Sequence, residues 1–239
     1  MHSNNYYDGK AIINILLGVT GMTDRKDQLA DTVAGTRGYE EVVDVFIEAS
    51  QALNFAEICS DVLEFLPSIP CRVLDAGAGA GQNAAALSRM GYSVVAAEPL
   101  PAFLDAGRST YGDLDISWVQ DSLPHLQDLP DPSERFGFIL LEGVWHHLDD
   151  EEREWSMARL STLLIDGGIC ALSLRHGPAG AGKHVFPTDG PMTTVLARRY
   201  GMEVALHLAD QPSKMSNKPG VTWTRMVFRK EPAGAGSDA

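Results

Sequence analysis

Cysteine is scarce in this chain, basic residues are outnumbered, and no stretch stays apolar for long. The three cysteines, Cys59, Cys71 and Cys170, stand far apart with no Cys-x-x-Cys pair. That removes zinc-type spacing and a disulfide framework. Cys71 and Cys170 fall in apolar, strand-like runs and are expected as buried free thiols. Lys and Arg number 19 against 32 Asp and Glu, a formal net charge of -13. A phosphate backbone must be met by clustered cations, so no nucleic-acid partner is expected; only a local basic patch would change that. The acidity itself serves solubility. The longest apolar run, 11–19, is too short to span a bilayer and is interrupted by Asn14, so no membrane partner is expected. With no leader-like segment, a reducing, cytoplasmic location is the expectation.

What is present is an alternation. Apolar residues over 51–66 recur at helical spacing and stop at Pro67 and Pro70. A short strand follows at 71–76, then a glycine cluster, then a helix over 82–90 closed by Gly91. Further strands are expected at 93–97, 116–119, 136–141 and 169–174. Helices are expected at 100–107, 150–164 (Trp155, Met157, Leu160 and Leu164 inward) and 191–200. The last two strands, 202–208 and 221–228, are joined by a loop too short for a crossover helix, so they should pair antiparallel. The pattern predicts an α/β fold with a doubly wound, mostly parallel seven-stranded sheet. Residues 1–50 are expected as a helical N-terminal cap with a helix at 39–49, 51–230 as the main domain, and 231–239 as a disordered tail. In such sheets ligands bind beyond the carboxyl ends of the strands.

At the first of those ends the chain reads Val73-Leu-Asp-Ala-Gly-Ala-Gly-Ala-Gly81. Glycines at 77, 79 and 81 allow positive φ and close approach of a ligand to the backbone. Asp75 would repel a pyrophosphate but suits a cationic amine. Glu98, ending the second strand, can accept both hydroxyls of a ribose. Asp121, after the third strand, can accept from an adenine amino group, with Ser122 and Leu123 adding backbone contacts and an apolar wall. Each acid also has a plain structural reading: a cap, a solvated strand end, a turn former. The segment Gly79-Ala-Gly81-Gln-Asn-Ala84 also fits GxGxxA, the dinucleotide fingerprint, although its first glycine does not directly follow the strand.

The pattern Asp-x-Gly-x-Gly-x-Gly, then Glu98, then Asp121-Ser122, resembles the class I S-adenosylmethionine (SAM)-dependent methyltransferases over roughly residues 50–230. The resemblance implies that Asp75, Gly77, Gly79 and Gly81 face the methionine part of SAM, that Glu98 holds the ribose and that Asp121 reads the adenine. Pro99 and Glu142 join Ser122 and Leu123 as further cofactor-contacting candidates. The fourth-strand segment Leu141-Glu-Gly-Val-Trp-His-His-Leu148 resembles small-molecule members related to the ubiquinone- and biotin-pathway enzymes. The resemblance further implies that Tyr6 and Tyr7, in the N-terminal cap, close over SAM.

Methyl transfer is an in-line displacement that needs alignment first. A hydroxyl acceptor also needs a base, for which His suits neutral pH. His146, His147 and His176 are the candidates, with His146 preferred as pocket-facing. Arg175 offers a fork for a carboxylate or phosphate on the acceptor, and Trp145 is a candidate substrate contact. No metal is expected: Glu142 and His146 are four apart but lack a third ligand. The leading expectation is methyl transfer to a small molecule at oxygen or carbon. The rivals are a nicotinamide-dependent oxidoreductase, a non-catalytic methyltransferase-like subunit, and a peptide methylase. The sequence does not indicate an oligomeric state.

Overall fold

The structure is a computed structural model that describes residues 33–129, 133, 135–215 and 220–232. Tyr6, Tyr7 and most of the expected tail lie outside the described residues. Seven strands form one sheet in the order β3-β2-β1-β4-β5-β7-β6. They are β1 (Arg72–Ala76), β2 (Ser93–Ala97), β3 (Ile116–Val119), β4 (Phe136–Leu141), β5 (Leu164–His176), β6 (Met202–Pro212) and β7 (Thr222–Lys230). The first five are mutually parallel. β7 inserts between β5 and β6 and runs antiparallel to both, as the short loop before it requires.

Helices cover both faces: α1 (Val43–Gln51), α2 (Phe55–Ile58), α3 (Gln82–Arg89), α4 (Pro101–Thr110), α5 (Asp150–Leu163) and α6 (Gly190–Arg199). Alternation along each strand splits the core in two. Leu74, Ala76, Ile139 and Leu141 pack with Trp145, Met157 and Leu160 on one side. Val73, Phe138 and Leu140 pack with Ala84, Leu87 and Phe55 on the other.

Three expectations are corrected. The single helix over 51–66 is instead the end of α1, then α2, then a 3-10 segment Ser60–Phe65. Asn54 breaks it: its side chain accepts from Ala56 N–H at 2.9 Å and starts a new turn, a local bond that competes with helix continuation. β5 begins five residues early, directly after α5, and takes Asp166-Gly-Gly into the strand with an irregular register between Phe136 and Phe138. Trp155 points outward, 46% exposed, and stacks on His125. The start of α5 is sharp because Asp149 and Glu152 form a reciprocal capping box at 2.9 Å each way.

Candidate active site

Beyond Ala76 the backbone turns through Gly77, Gly79 and Gly81 at φ of 76°, 55° and 86°, where a side chain is strained. A Cβ at Gly77 would lie 2.5 Å from Val144 Cγ2, and one at Gly81 would overlap the Trp118 ring. The loop is tied to β2: Gly77 and Ala78 N–H donate to Ala97 O at 2.8 and 3.0 Å. Glu98 completes the tie, accepting from Gly79 N–H and Leu100 N–H at 2.9 Å each. Asp75 alternates with Val73 onto the α3 side and is 1% exposed. One of its oxygens accepts from Ala84 N–H in the first turn of α3, while Oδ2 has no hydrogen-bond partner among the described residues. Asp121 accepts from Ser122 N–H at 2.8 Å and Asp128 N–H at 2.7 Å. Both of its oxygens are engaged in its own loop, and Ser122 and Leu123, not Asp121, reach the cavity beside it.

Two adjoining cavities open at the carboxyl ends of β1, β2, β4 and β5. The smaller, about 130 Å³, lies over the glycine loop and is walled by Gly77, Gly79, Glu98, Pro99, Leu123 and His147. The larger, about 390 Å³, extends toward β5 and β7 and is walled by His146, Arg175, Trp223 and Arg225 and by apolar residues of α1. They share Tyr39, Phe46, Glu142 and Gly143. Tyr39 belongs to a 3-10 turn, Tyr39–Glu41, just before α1. Phe46 stacks on Phe103 at 4.9 Å and meets Tyr39 edge-on at 5.0 Å, forming an aromatic roof.

The two adjacent histidines divide between the cavities. His147 Nδ1 lies 2.8 Å from His184 O. A carbonyl only accepts, so Nδ1 carries the proton and Nε2 is the lone-pair nitrogen. Tyr39 O–H donates to it at 3.1 Å. His146 faces the larger cavity, and its Nδ1 is buried without a partner among the described residues. His176, on the opposite side of β5 from Arg175 by strand alternation, pairs with Thr224 Oγ1 at 2.9 Å and lines neither cavity. Trp145 is fully buried in the core and touches neither cavity, so the expectation of a substrate contact is corrected. Glu142 forms an ion pair with Arg225 of β7, both side chains largely buried.

Burial sets the charge states. It pushes Asp75 up to about 7, opposed by the Ala84 bond and aided by the Glu142 and Glu98 charges. It pushes Glu98 up to about 7 against the Leu100 and Gly79 bonds. Burial, then the neighbouring His147, Arg175 and Arg153, bring His146 down to about 2. His147 is also lowered by burial, and its bond to His184 opposes the shift. Both imidazoles are therefore neutral near pH 7. His146, the preferred base, is the weaker one; His147 has the defined tautomer and the higher basicity.

Sequence reasoning missed Tyr39, Phe46 and Phe103, because their meeting depends on where the N-terminal segment docks. It also missed Arg225. The signal was an arginine inside the apolar strand 221–228, which a buried strand holds only with a partner.

Residues 73–168 match the family model described as a methyltransferase domain. No curated protein matches the chain in sequence. Among solved structures it is similar to a TehB-like SAM-dependent methyltransferase from Corynebacterium glutamicum, at 19% identity and TM-score 0.59, covering 82% of this chain and 99% of that one. It is also similar to a 1,6-didemethyltoxoflavin-N1-methyltransferase from Burkholderia thailandensis (19%, TM-score 0.55, 97% and 94%). A third is a magnesium protoporphyrin IX methyltransferase from Synechocystis (16%, TM-score 0.55, 96% and 100%). These three likenesses concern the fold. The family match gives the chain a methyltransferase domain over residues 73–168, carried on the sheet and glycine loop described above.

Proposed function

We propose that this enzyme methylates a small-molecule acceptor at oxygen or carbon, the acceptor entering through the cavity of about 390 Å³. One observation carries the reading: two cavities, one over the glycine loop and one beyond β4, meet at Glu142, Gly143, Tyr39 and Phe46. A volume of this size falls in the range of small-molecule sites, about 300–1,000 Å³.

The residues over the loop fit SAM. Gly77 and Gly79 leave space that a Cβ would fill. Asp75 lies behind the loop and lines neither cavity, so its unpartnered Oδ2 can accept from an ammonium only when the loop opens to the cofactor. Glu98 is the acceptor for the ribose hydroxyls; Pro99, Leu100, Ser122 and Leu123 flank the adenine. Asp121 supports the adenine end by fixing the Ser122–Leu123 backbone. At about 130 Å³ the space over the loop is below the usual cofactor range, so Tyr39 and Phe46 must yield to admit the adenosyl group. Residues 33–50, the described part of the expected N-terminal cap, then close over that space.

When bound, SAM supplies an electrophilic methyl on a sulfonium. The chain's part is alignment, exclusion of water under the aromatic roof, and proton acceptance. His147 Nε2 accepts the acceptor's proton once Tyr39 has moved off it, while neutral His146 hydrogen-bonds the acceptor. Both roles fit an acceptor that loses a proton, such as a hydroxyl or an acidic carbon.

The test is a metabolite screen with labelled methyl donor, followed by His147→Ala on the best acceptor. The proposal expects label in a small molecule, and turnover lowered by roughly 10²-fold or more with donor affinity largely kept. Label confined to protein or peptide would overturn it.

A further inference from the structure

The charges around the larger cavity do not balance. Glu142, Arg175, Lys214 and Arg225 line it. Arg225 is paired with Glu142 and lies 3.8 Å from Asp61. Lys214 Nζ is held by Asp61 at 2.8 Å, Ser60 Oγ at 2.8 Å and Ile58 O at 3.1 Å. Two carboxylates thus answer two of the three cations, and Arg175 is left. Its guanidinium has no hydrogen bond or ion pair with any described residue, although it is half-buried. Burial lowers its proton affinity, and only the nearby Tyr39 offsets this. An arginine stays charged there, so the cost of partial desolvation persists until an anion arrives.

Much of the remaining wall is apolar or aromatic, with Ser50, Gln82, Asn83 and Ser213 as its uncharged polar members. Val42, Val45, Ala49 and Leu53 of the α1 region face Trp223 across the space. His146 Nδ1 and Gln82 Oε1 on this wall are buried with no hydrogen-bond partner among the described residues. His146 is neutral, so it adds a hydrogen bond and no charge.

We infer that the methyl acceptor is an amphipathic anion: an apolar, ring-sized body between α1 and Trp223, with one carboxylate or phosphate held in the Arg175 fork. The inference rests on the methyltransferase reading and names its substrate class. The planar guanidinium favours an oxyanion bound through two parallel N–H···O bonds. A cationic acceptor is rejected by the same charge. Lys214 and Arg225 are unsuited to the role, because breaking their existing pairs would leave Asp61 and Glu142 uncompensated.

The test is calorimetric binding to the full chain saturated with S-adenosylhomocysteine (SAH). The probes are 2-naphthoate, 2-naphthyl phosphate and neutral 2-naphthamide. One of the two anions should bind at least about tenfold more tightly than the amide, as expected for a charge-assisted bidentate contact of roughly 1.4 kcal/mol or more. The two anionic arms tell carboxylate from phosphate. Arg175→Gln should abolish the preference while SAH affinity stays within about twofold, and Arg175→Lys should restore it in part. Equal binding of anion and amide overturns the inference. So do a preference that survives in Arg175→Gln and an absence of binding by every probe. A large loss of SAH affinity in Arg175→Gln would also overturn it, by giving Arg175 to the cofactor's own carboxylate. Failure of the wild-type chain to bind SAH instead removes the methyltransferase reading, before any probe is compared.

Discussion

Asp75→Asn should make the protein more stable above neutral pH while weakening its hold on the cofactor. Asp75 is fully buried, and burial raises it from 3.8 to about 7. A carboxyl with a folded pKa above its unfolded value binds its proton more tightly in the folded state. Its stabilising contribution is therefore complete below pH ~4, falls steadily as the pH rises from there, and is gone above about 7. About three pKa units at 1.36 kcal/mol each set a ceiling of roughly 4 kcal/mol. Asparagine imitates the protonated carboxyl in shape and hydrogen bonding, so the variant escapes that loss. The assay is urea unfolding from pH ~4 to ~8.5. Wild type and variant should nearly coincide at the acid end. At the alkaline end the variant should lead by about 1–4 kcal/mol, a few degrees or more in melting temperature for a domain of this size. The cofactor pulls the other way, because an ammonium beside Asp75 stabilises the ionised form. SAH affinity should thus rise with pH through neutrality in the wild type and lose much of that rise in the variant. Parallel pH–stability curves would refute the assignment of a strained, ligand-ready carboxyl.

Arg225→Met alone should cost about 3–5 kcal/mol, because it strands Glu142 in a largely buried site. The double variant with Glu142→Leu should recover most of that in the same unfolding assay. Gly81→Ala should destabilise by about 2 kcal/mol or more, since the new Cβ meets the Trp118 ring at a positive φ; unchanged stability would contradict the loop geometry. Tyr39→Phe removes the donor to His147 Nε2, so the acid limb of the turnover–pH profile should shift; an unmoved limb would separate Tyr39 from the base. Adding SAH should alter hydrogen exchange in 39–51, the segment that must yield over the glycine loop; identical exchange with and without it would show that no such movement occurs.

The parallel part of the fold was readable because each strand is a short apolar run stopped by glycine or an acid, with a helical period after the first, second and fourth runs. The antiparallel end was readable from loop length alone. The 51–66 region was misread because hydrophobic spacing continued across Asn54, and a cap bond decides the break, not the spacing. In the site, the sequence was enough to put Asp75, Glu98 and the glycines together at neighbouring strand ends. Asp121 carried two readings, and its turn-forming one is visible in both of its bonds. Two neighbouring histidines gave no means of choosing; burial and the His184 carbonyl, far along the chain, decide their basicity and tautomer. The Glu142–Arg225 pair and the Tyr39–Phe46–Phe103 roof join distant segments, so only the assembled topology could reveal them.

The central claim is that strand-end carboxylates around a glycine loop bind an adenosyl sulfonium. Calorimetric titration of wild type, Asp75→Asn and Glu98→Ala with SAH, with NADH as the competitor, tests it most directly. The account predicts one SAH site per chain, affinity lowered about tenfold or more in each variant, and no competition by NADH. NADH binding in place of SAH, or SAH affinity untouched by both substitutions, would contradict it.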